Sequence, residues 1–477
     1  MDRRHFLATG LGLPAAIRGV ADAPPRPRSA QPDPFEDLGD GVRSLMDEHR
    51  IPGAALGVIK NGTVRTQGFG VTSVEDPQPV TTDTVFELAS LSKTATATAV
   101  MSLVEQGRLD LDAPVRRYLP DFAVQDPLTS AAVTVRHLLT HTPGWEARYD
   151  VGEGPDALAR WVPTMGDLEQ IAPPGRVWSY NNTAYGLAGR LVEVATGTEF
   201  RDALDALVFT PVGLERASTR LEEIVTWPVA LGHRPGAGGE PEVVRPYSMG
   251  SSIPAGGVNM SLDSLMDYLA FHLGEHDGEG ASALGRRGRE AMRIPQLGKE
   301  PTTEQMGLGF HLRTLDGVLT AAHGGTAGAG HRCHVQLVPG RRLAFAILTN
   351  HTEGWRLLQA VERATLDAYE GLSLAAGQAI CGYRGHTETL DHVTPLTRQP
   401  SPDDYVGTYR FGRGRRREVR ADPDGGLLVG DPAAPVLFYG EDVAFHTQGD
   451  RINCDFIREA GEVRWMRVAG QVGRRES

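Results

Sequence analysis

In the stretch "ELASLSKTATATAV", residues 87–100, a serine and a lysine stand three apart among small side chains. Positions three apart share one face of a helix, so Ser90 and Lys93 should point into the same space. The chain holds 48 Lys+Arg, of which only Lys60, Lys93 and Lys299 are lysines. Where arginine is the default cation, a position needing positive charge alone would carry arginine. A lysine amine can lose its proton when buried, whereas a guanidinium in a protein effectively cannot. The pair reads as an alcohol nucleophile beside a proton acceptor. A serine also needs donors for the oxyanion that forms when it attacks a carbonyl.

Two further stretches could complete such chemistry. In "VWSYNNTAYGLAGRLVEVATG", residues 177–197, Tyr180, Asn181 and Asn182 precede a helical pattern of Ala184, Leu187, Leu191 and Val194. A phenol titrates near 10, and a neighbouring cation lowers that, which suits Tyr180 to proton shuttling. Asn182 could hold the lysine and a substrate amide. The same residues also read as an ordinary helix cap. In "HGGTAGAG", His323 to Gly330, the glycines would let a substrate lie along a strand and take its N–H donors, while His323 adds a polar group. A Gly-rich strand entry is the plainer alternative. No G-x-S-x-G elbow occurs. His331, Cys333 and His334 lie near His323, but neighbours in a strand face opposite ways, and neither H-E-x-x-H nor C-x-x-C accompanies them. Neither a metal nor a cofactor is expected.

The elements that must position these residues follow from periodicity. A helix is expected over Phe35 to His49, then two antiparallel strands around Asn61-Gly62, the strongest hairpin signal in the chain. From Ser90, apolar residues recur at helical spacing to Gly107, in a helix so rich in Ala and Thr that it should be packed on all sides. Helical and loop patterns run on to about residue 290. Strands return at "MGLGFHL", after His323, and in "CHVQLVPGRRLAFAILTN", before a closing helix "WRLLQAVERATLDAYEGL". The fold class implied is α+β, an antiparallel sheet built from both ends of this region, flanked by helices and interrupted by a mainly helical insertion. Its bounds are 35–375. Residues 376–401 read as a linker, and 402–477, with short strand-like runs between Asp/Gly/Pro turns, as a small all-β barrel or sandwich. That appendage is expected to be separable and to shape access rather than perform chemistry.

Residues 1–34 carry Arg3-Arg4, then Phe6-Leu7 and an apolar run to Ile17 too short for a permanent membrane span, followed by a Pro-rich spacer. This reads as a twin-arginine export signal, giving a periplasmic or extracellular protein. A net charge of −12 excludes nucleic acid and anionic membranes as partners, and "GRGRRRE", Gly412 to Glu418, reads as a solvated hairpin. Cys333, Cys381 and Cys454 are too few and scattered for a disulfide framework. The partner expected is a small-molecule or peptide-like substrate, with oligomeric state left open.

Taken in order, Ser90-x-x-Lys93, Tyr180-x-Asn182 and His323-Gly324-Gly325 resemble the three motifs of the serine β-lactamase and penicillin-binding-protein family. The likeness is to the class C branch, with its esterases and D-aminopeptidase-like hydrolases. "RHLLTHTPGW", Arg136 to Trp145, resembles another stretch of that branch, and the likeness spans roughly 35 to 370. It implies an acyl-enzyme mechanism in which Ser90 attacks a carbonyl, Lys93 and Tyr180 move its proton to the leaving group and Asn182 positions substrate. Gly324, Gly325 and Thr326 would line the substrate strand, with the N–H groups of Ser90 and Thr326 forming the oxyanion hole. Where many β-lactam-binding members carry Lys-Thr-Gly, this chain has His-Gly-Gly. That departure tilts the implied activity toward an esterase or a D-amino peptidase. The rivals are a β-lactamase or D,D-peptidase acting on the cell wall and, from another class, a non-catalytic binding protein on the same fold.

Overall fold

The computed structural model describes residues 34–476 apart from 149–151, 153, 155, 247–248, 276–282, 299–303, 374–394, 424–425, 431 and 447–452. The export motif, the Pro-rich spacer up to Asp33, most of the expected linker and Cys381 lie outside the described residues.

The first helix, α1 (Pro34–His49), leads into β1 (Gly53–Lys60) and β2 (Thr63–Gly70). Their turn is Asn61-Gly62 with φ of 50° and 81°, the two left-handed positions that a tight right-twisting hairpin needs and that Asn-Gly supplies at least cost. The remaining strands of this sheet come from far along the chain: β3 (Leu297–Gly298), β4 (Gln305–Met306), β5 (His311–Leu315), β6 (Val318–Thr326), β7 (Arg332–Val338) and β8 (Leu343–Thr349). They form one eight-stranded sheet in the order β2-β1-β8-β7-β6-β5-β4-β3, with β1 against β8 from Ala54↔Thr349 to Lys60↔Leu343.

Alternation along the strands feeds two cores. Leu56 and Val58 of β1 join Phe345 and Ile347 of β8 under α1 and the closing helix, Gly354–Glu370. Ala55 and Ile59, with Ala344, Ala346 and Leu348, face the helical insertion. Both faces being covered explains why β1 and β8 read as continuous apolar runs rather than alternating ones. On the insertion side lies α2 (Ser92–Glu105), buried from Ser92 through Leu103, as its small residues required. It ends before Gly107 at φ 70°, a left-handed stop that glycine adopts without strain.

The C-terminal strands are β9 (Gly407–Arg410), β10 (Arg416–Ala421), β11 (Leu427–Val429), β12 (Ala434–Gly440), β13 (Val443–His446), β14 (Asn453–Glu459), β15 (Glu462–Val468) and β16 (Gln471–Arg475). Each pairs with the next, and β9 with β16, in a closed barrel. Of the two all-β alternatives, the barrel is the one that forms. Its interior holds Tyr405, Tyr409, Phe438, Phe456 and Met466. It docks on the preceding α+β region through an apolar patch in which Ile457, Trp465 and Val472 meet Ile171, Ala172 and Val177.

Candidate active site

Ser90 lies not in α2 itself but in the tight turn Ala89–Leu91 before it, one step outside the helix that periodicity suggested. Ala89 takes φ 45°, a left-handed conformation that non-glycine residues hold only when their surroundings force it. Several contacts force it here. Leu88 N–H donates to Val258 O at 3.0 Å, Ser92 Oγ donates to Ala89 O at 2.6 Å, and Val258 N–H donates to Ser92 Oγ at 2.9 Å. Ser92 is a structural clamp that the S-x-x-K reading passed over, hidden because it stands between the two residues that drew notice.

Lys93 is fully buried, and its Nζ donates to Ser90 Oγ at 3.3 Å and to Ala255 O at 2.7 Å. The amine also sits over the ring faces of Tyr180 and Tyr185, 4.9 and 5.6 Å from their centroids. Burial holds its pKa well below the ordinary lysine value of 10.5, because a desolvated ammonium is costly and the neutral amine is not. Among the described residues, Asn182 is not a partner of the amine. The Ala255 carbonyl, in the short helix Ile253–Gly256, takes the place expected of it. A backbone oxygen has no residue-type signature, so the sequence could not announce it.

Tyr180 is buried beside Trp178 and Met306, its ring 4.5 Å from His141. It belongs to an extended segment leading into the helix α3 (Asn182–Thr196). Asn181 caps that helix, Oδ1 accepting from Ala184 N–H at 2.9 Å while Nδ2 donates to Trp145 O at 3.0 Å. The capping reading of this stretch is right for Asn181. Asn182 is the helix's first residue, half-buried. "RHLLTHTPGW" is the backing of this segment: Ser179 N–H donates to His141 O and Asn181 N–H to His141 Nδ1, both at 2.9 Å. The neighbouring Tyr185 donates to Leu139 O at 2.9 Å, and burial first, then Tyr180, push its pKa well above the usual phenol range. Tyr185 therefore stays neutral.

The third motif runs along β6. His323 is buried, its Nδ1 2.7 Å from Gly324 O, with its ring 5.1 Å from His311, which in turn lies 5.9 Å from Trp178. Gly324 is half-buried and Thr326 exposed at the strand's end. Gly325 has a different reason to be glycine than substrate access: a Cβ there would meet Leu88 O at 2.1 Å and Cys333 Sγ at 2.5 Å. The absent side chain lets β6 press against the turn that carries Ser90. Cys333 Sγ adds a bond to Leu88 O at 3.2 Å. His334, on the opposite face of β7, lies 3.7 Å from Glu362.

Serine, buried amine, phenol and glycine strand are thus gathered around one turn. Residues 40–370 match the family model described as Beta-lactamase. The chain belongs to the Beta-lactamase family. This Beta-lactamase family member is 37% identical over 318 residues to penicillin-binding protein 4 of Amycolatopsis lactamdurans, covering 64% of this chain and 83% of that one. It is 35% identical over 192 residues to esterase EstB of Burkholderia gladioli, covering 35% of this chain and 47% of the esterase. The solved structure of SurE matches it with a TM-score of 0.76 and 28% identity over 93% of this chain and 99% of SurE, barrel region included. SurE with D-Leu matches with a TM-score of 0.74 and 27% identity over 93% and 99%. This Beta-lactamase family member is an enzyme, a serine hydrolase of the β-lactamase, penicillin-binding-protein and esterase type. Among its described residues no helix is long and apolar enough to cross a membrane.

Proposed function

We propose that the protein forms an acyl-enzyme on Ser90 and hydrolyses esters or amides whose acyl group ends in a D-configured amino-acid residue. The observation that carries the chemistry is the buried Lys93 amine 3.3 Å from Ser90 Oγ, its pKa lowered by burial. A neutral amine can donate one N–H to Ala255 O and, once the Ser90 hydroxyl turns its proton toward the nitrogen, accept that proton on its lone pair. Ser90 Oγ bonds to the substrate carbonyl carbon while the carbonyl electrons move to oxygen, stabilised by the N–H groups of Ser90 and Thr326. The proton passes by way of Lys93 and Tyr180 to the leaving group as its bond to carbon breaks. Water then attacks the ester, returning the proton to Ser90 and releasing the acid. Asn182, His323, Gly324 and Gly325 position the substrate along β6.

The D-configured acyl group is supported by the match to SurE with D-Leu, which extends over nearly the whole of that chain. A cavity of about 240 Å³ includes in its lining Glu87, three residues before Ser90, and Gly257, next to the Val258 that bonds the Ser90 turn, together with Arg201 and Glu222. Export by the twin-arginine route belongs to the same proposal. A second reading, a β-lactamase or D,D-peptidase, draws on the match to 83% of penicillin-binding protein 4. A panel of p-nitrophenyl esters, D- and L-amino-acid amides and nitrocefin, with intact-mass detection of the adduct, separates the two. Turnover of D- over L-configured substrates with an adduct on the Ser90 peptide is expected. Nitrocefin turnover exceeding that of every ester and amide would favour the second reading, and an equal adduct on Ser90→Ala would refute both.

A further inference from the structure

The segment Trp178–Asn181 runs between two partners. Its odd-numbered residues turn inward, Ser179 N–H and Asn181 N–H both bonding His141. Tyr180, between them, turns both of its backbone groups the other way, onto the C-terminal barrel. Its N–H donates to Gly470 O at 2.8 Å, and its carbonyl accepts from Gln471 Nε2 at 2.7 Å. Val472 N–H adds a bond to Ser179 Oγ at 3.3 Å, and the Arg467 guanidinium lies over the Trp178 ring at 5.4 Å. Gln471 follows the turn between β15 and β16, and that hairpin is seated by Trp465, whose Nε1 donates to Ile171 O at 3.3 Å. Farther out, Arg410 of β9 pairs with Glu169.

We propose that Gln471 and the β15–β16 turn are positioning elements for Tyr180, so that the barrel completes the active site rather than only shaping access to it. The inference rests on the reading of Tyr180 as the group that passes the proton to the leaving group. The hydrolase region supplies a hydrogen-bonding partner to the residue on either side of the tyrosine, and the barrel supplies one to each of the tyrosine's own backbone groups. Tilting that peptide unit swings the phenol, and a displacement of about 1 Å at a proton-transferring group can cost about a hundredfold in rate.

The test exploits leaving-group dependence. A p-nitrophenolate leaves without a proton, while an ethoxide needs one as its bond breaks. Single-turnover acylation of the full chain is measured with the p-nitrophenyl and ethyl esters of N-acetyl-D-leucine, beside melting curves, for wild type, Gln471→Ala, Gln471→Glu and Gln471→Arg. Loss of the donor in the first two variants should slow the ethyl ester about 10- to 100-fold and the p-nitrophenyl ester by less than about threefold. Gln471→Arg, which keeps N–H donors at similar reach, should recover most of the ethyl-ester rate. Equal slowing of both esters, or no slowing in either donor-less variant, overturns the inference and leaves the functional reading standing. A wild-type protein that neither ester acylates at Ser90 overturns the functional reading, and this inference with it.

Discussion

Replacing Lys93 by methionine separates what the amine does for catalysis from what it costs the fold. Methionine keeps the unbranched stem and removes the nitrogen. Loss of the proton acceptor should slow acylation about 10²- to 10⁴-fold, roughly 3 to 5 kcal/mol of barrier. Stability should move the other way. In the unfolded chain a lysine is protonated below about 10.4, whereas the buried amine has its pKa well below 10.5, so unfolding takes up a proton. The penalty for folding around a neutral amine is about 1.4 kcal/mol for each pH unit separating the working pH from an ordinary lysine pKa, until the depressed folded value is reached. At pH 7 that amounts to at most about 5 kcal/mol, the limit reached when the folded value lies below 7. Against it stands Ala255 O, which loses its 2.7 Å donor at a cost of about 1–3 kcal/mol. Lys93→Met should therefore be more stable than wild type at pH 7, by no more than about 4 kcal/mol. The gain should shrink as the pH rises toward 10 and reverse once both states hold a neutral lysine. Denaturant melts from pH 6 to 10, paired with ester acylation rates, measure both quantities. Retention of more than about a tenth of the acylation rate, or a stability difference flat with pH, would refute the neutral-amine account.

Other expectations follow from single contacts. Gly325→Ala should lower acylation at least about 100-fold and stability by about 1–3 kcal/mol, since the new Cβ meets the Leu88 carbonyl at 2.1 Å and backbone cannot rotate away; near-wild-type rates would show that β6 and the Ser90 turn are not in forced contact. Cys333 and Cys454 are buried, and burial pushes both thiols far above their usual range. Peptide mapping should find neither alkylated by iodoacetamide in the native protein and both alkylated in denaturant; native labelling of either would contradict its burial. Replacing Arg3 and Arg4 by lysine should hold precursor inside the producing cell, and unchanged secretion would reject the export route.

Residues betrayed by their own type were legible in the sequence. Lys93 stands out in a chain of arginines, Asn61-Gly62 dictates its hairpin, and the small residues of α2 foretell a helix buried all round. What stayed hidden are backbone groups brought from afar: Ala255 O on the lysine, Leu88 O against Gly325, His141 O under Ser179 and Gly470 O on Tyr180. Any residue can present a carbonyl, so such partners leave no trace in composition or spacing. The glycine of the third motif was noticed for access, while its geometric need is a close approach that only three dimensions display. In the C-terminal region, alternation is the same for a barrel and a sandwich. What closes the barrel is the pairing of Tyr409 with Arg475, a register set by packing inside it.

The seam between β1 and β8 joins Ala54 to Thr349, partners almost three hundred residues apart, and this gives the molecule a timetable. Closing so long a loop is entropically unfavourable and slow, and on a ribosome it cannot happen until Thr349 has emerged. Ser90 is made early, yet the turn that presents it is braced by Val258 and by Cys333, both synthesised much later. A growing chain therefore holds a serine and a lysine but no reactive centre, and the nucleophile is assembled only once the last strands of the sheet have arrived.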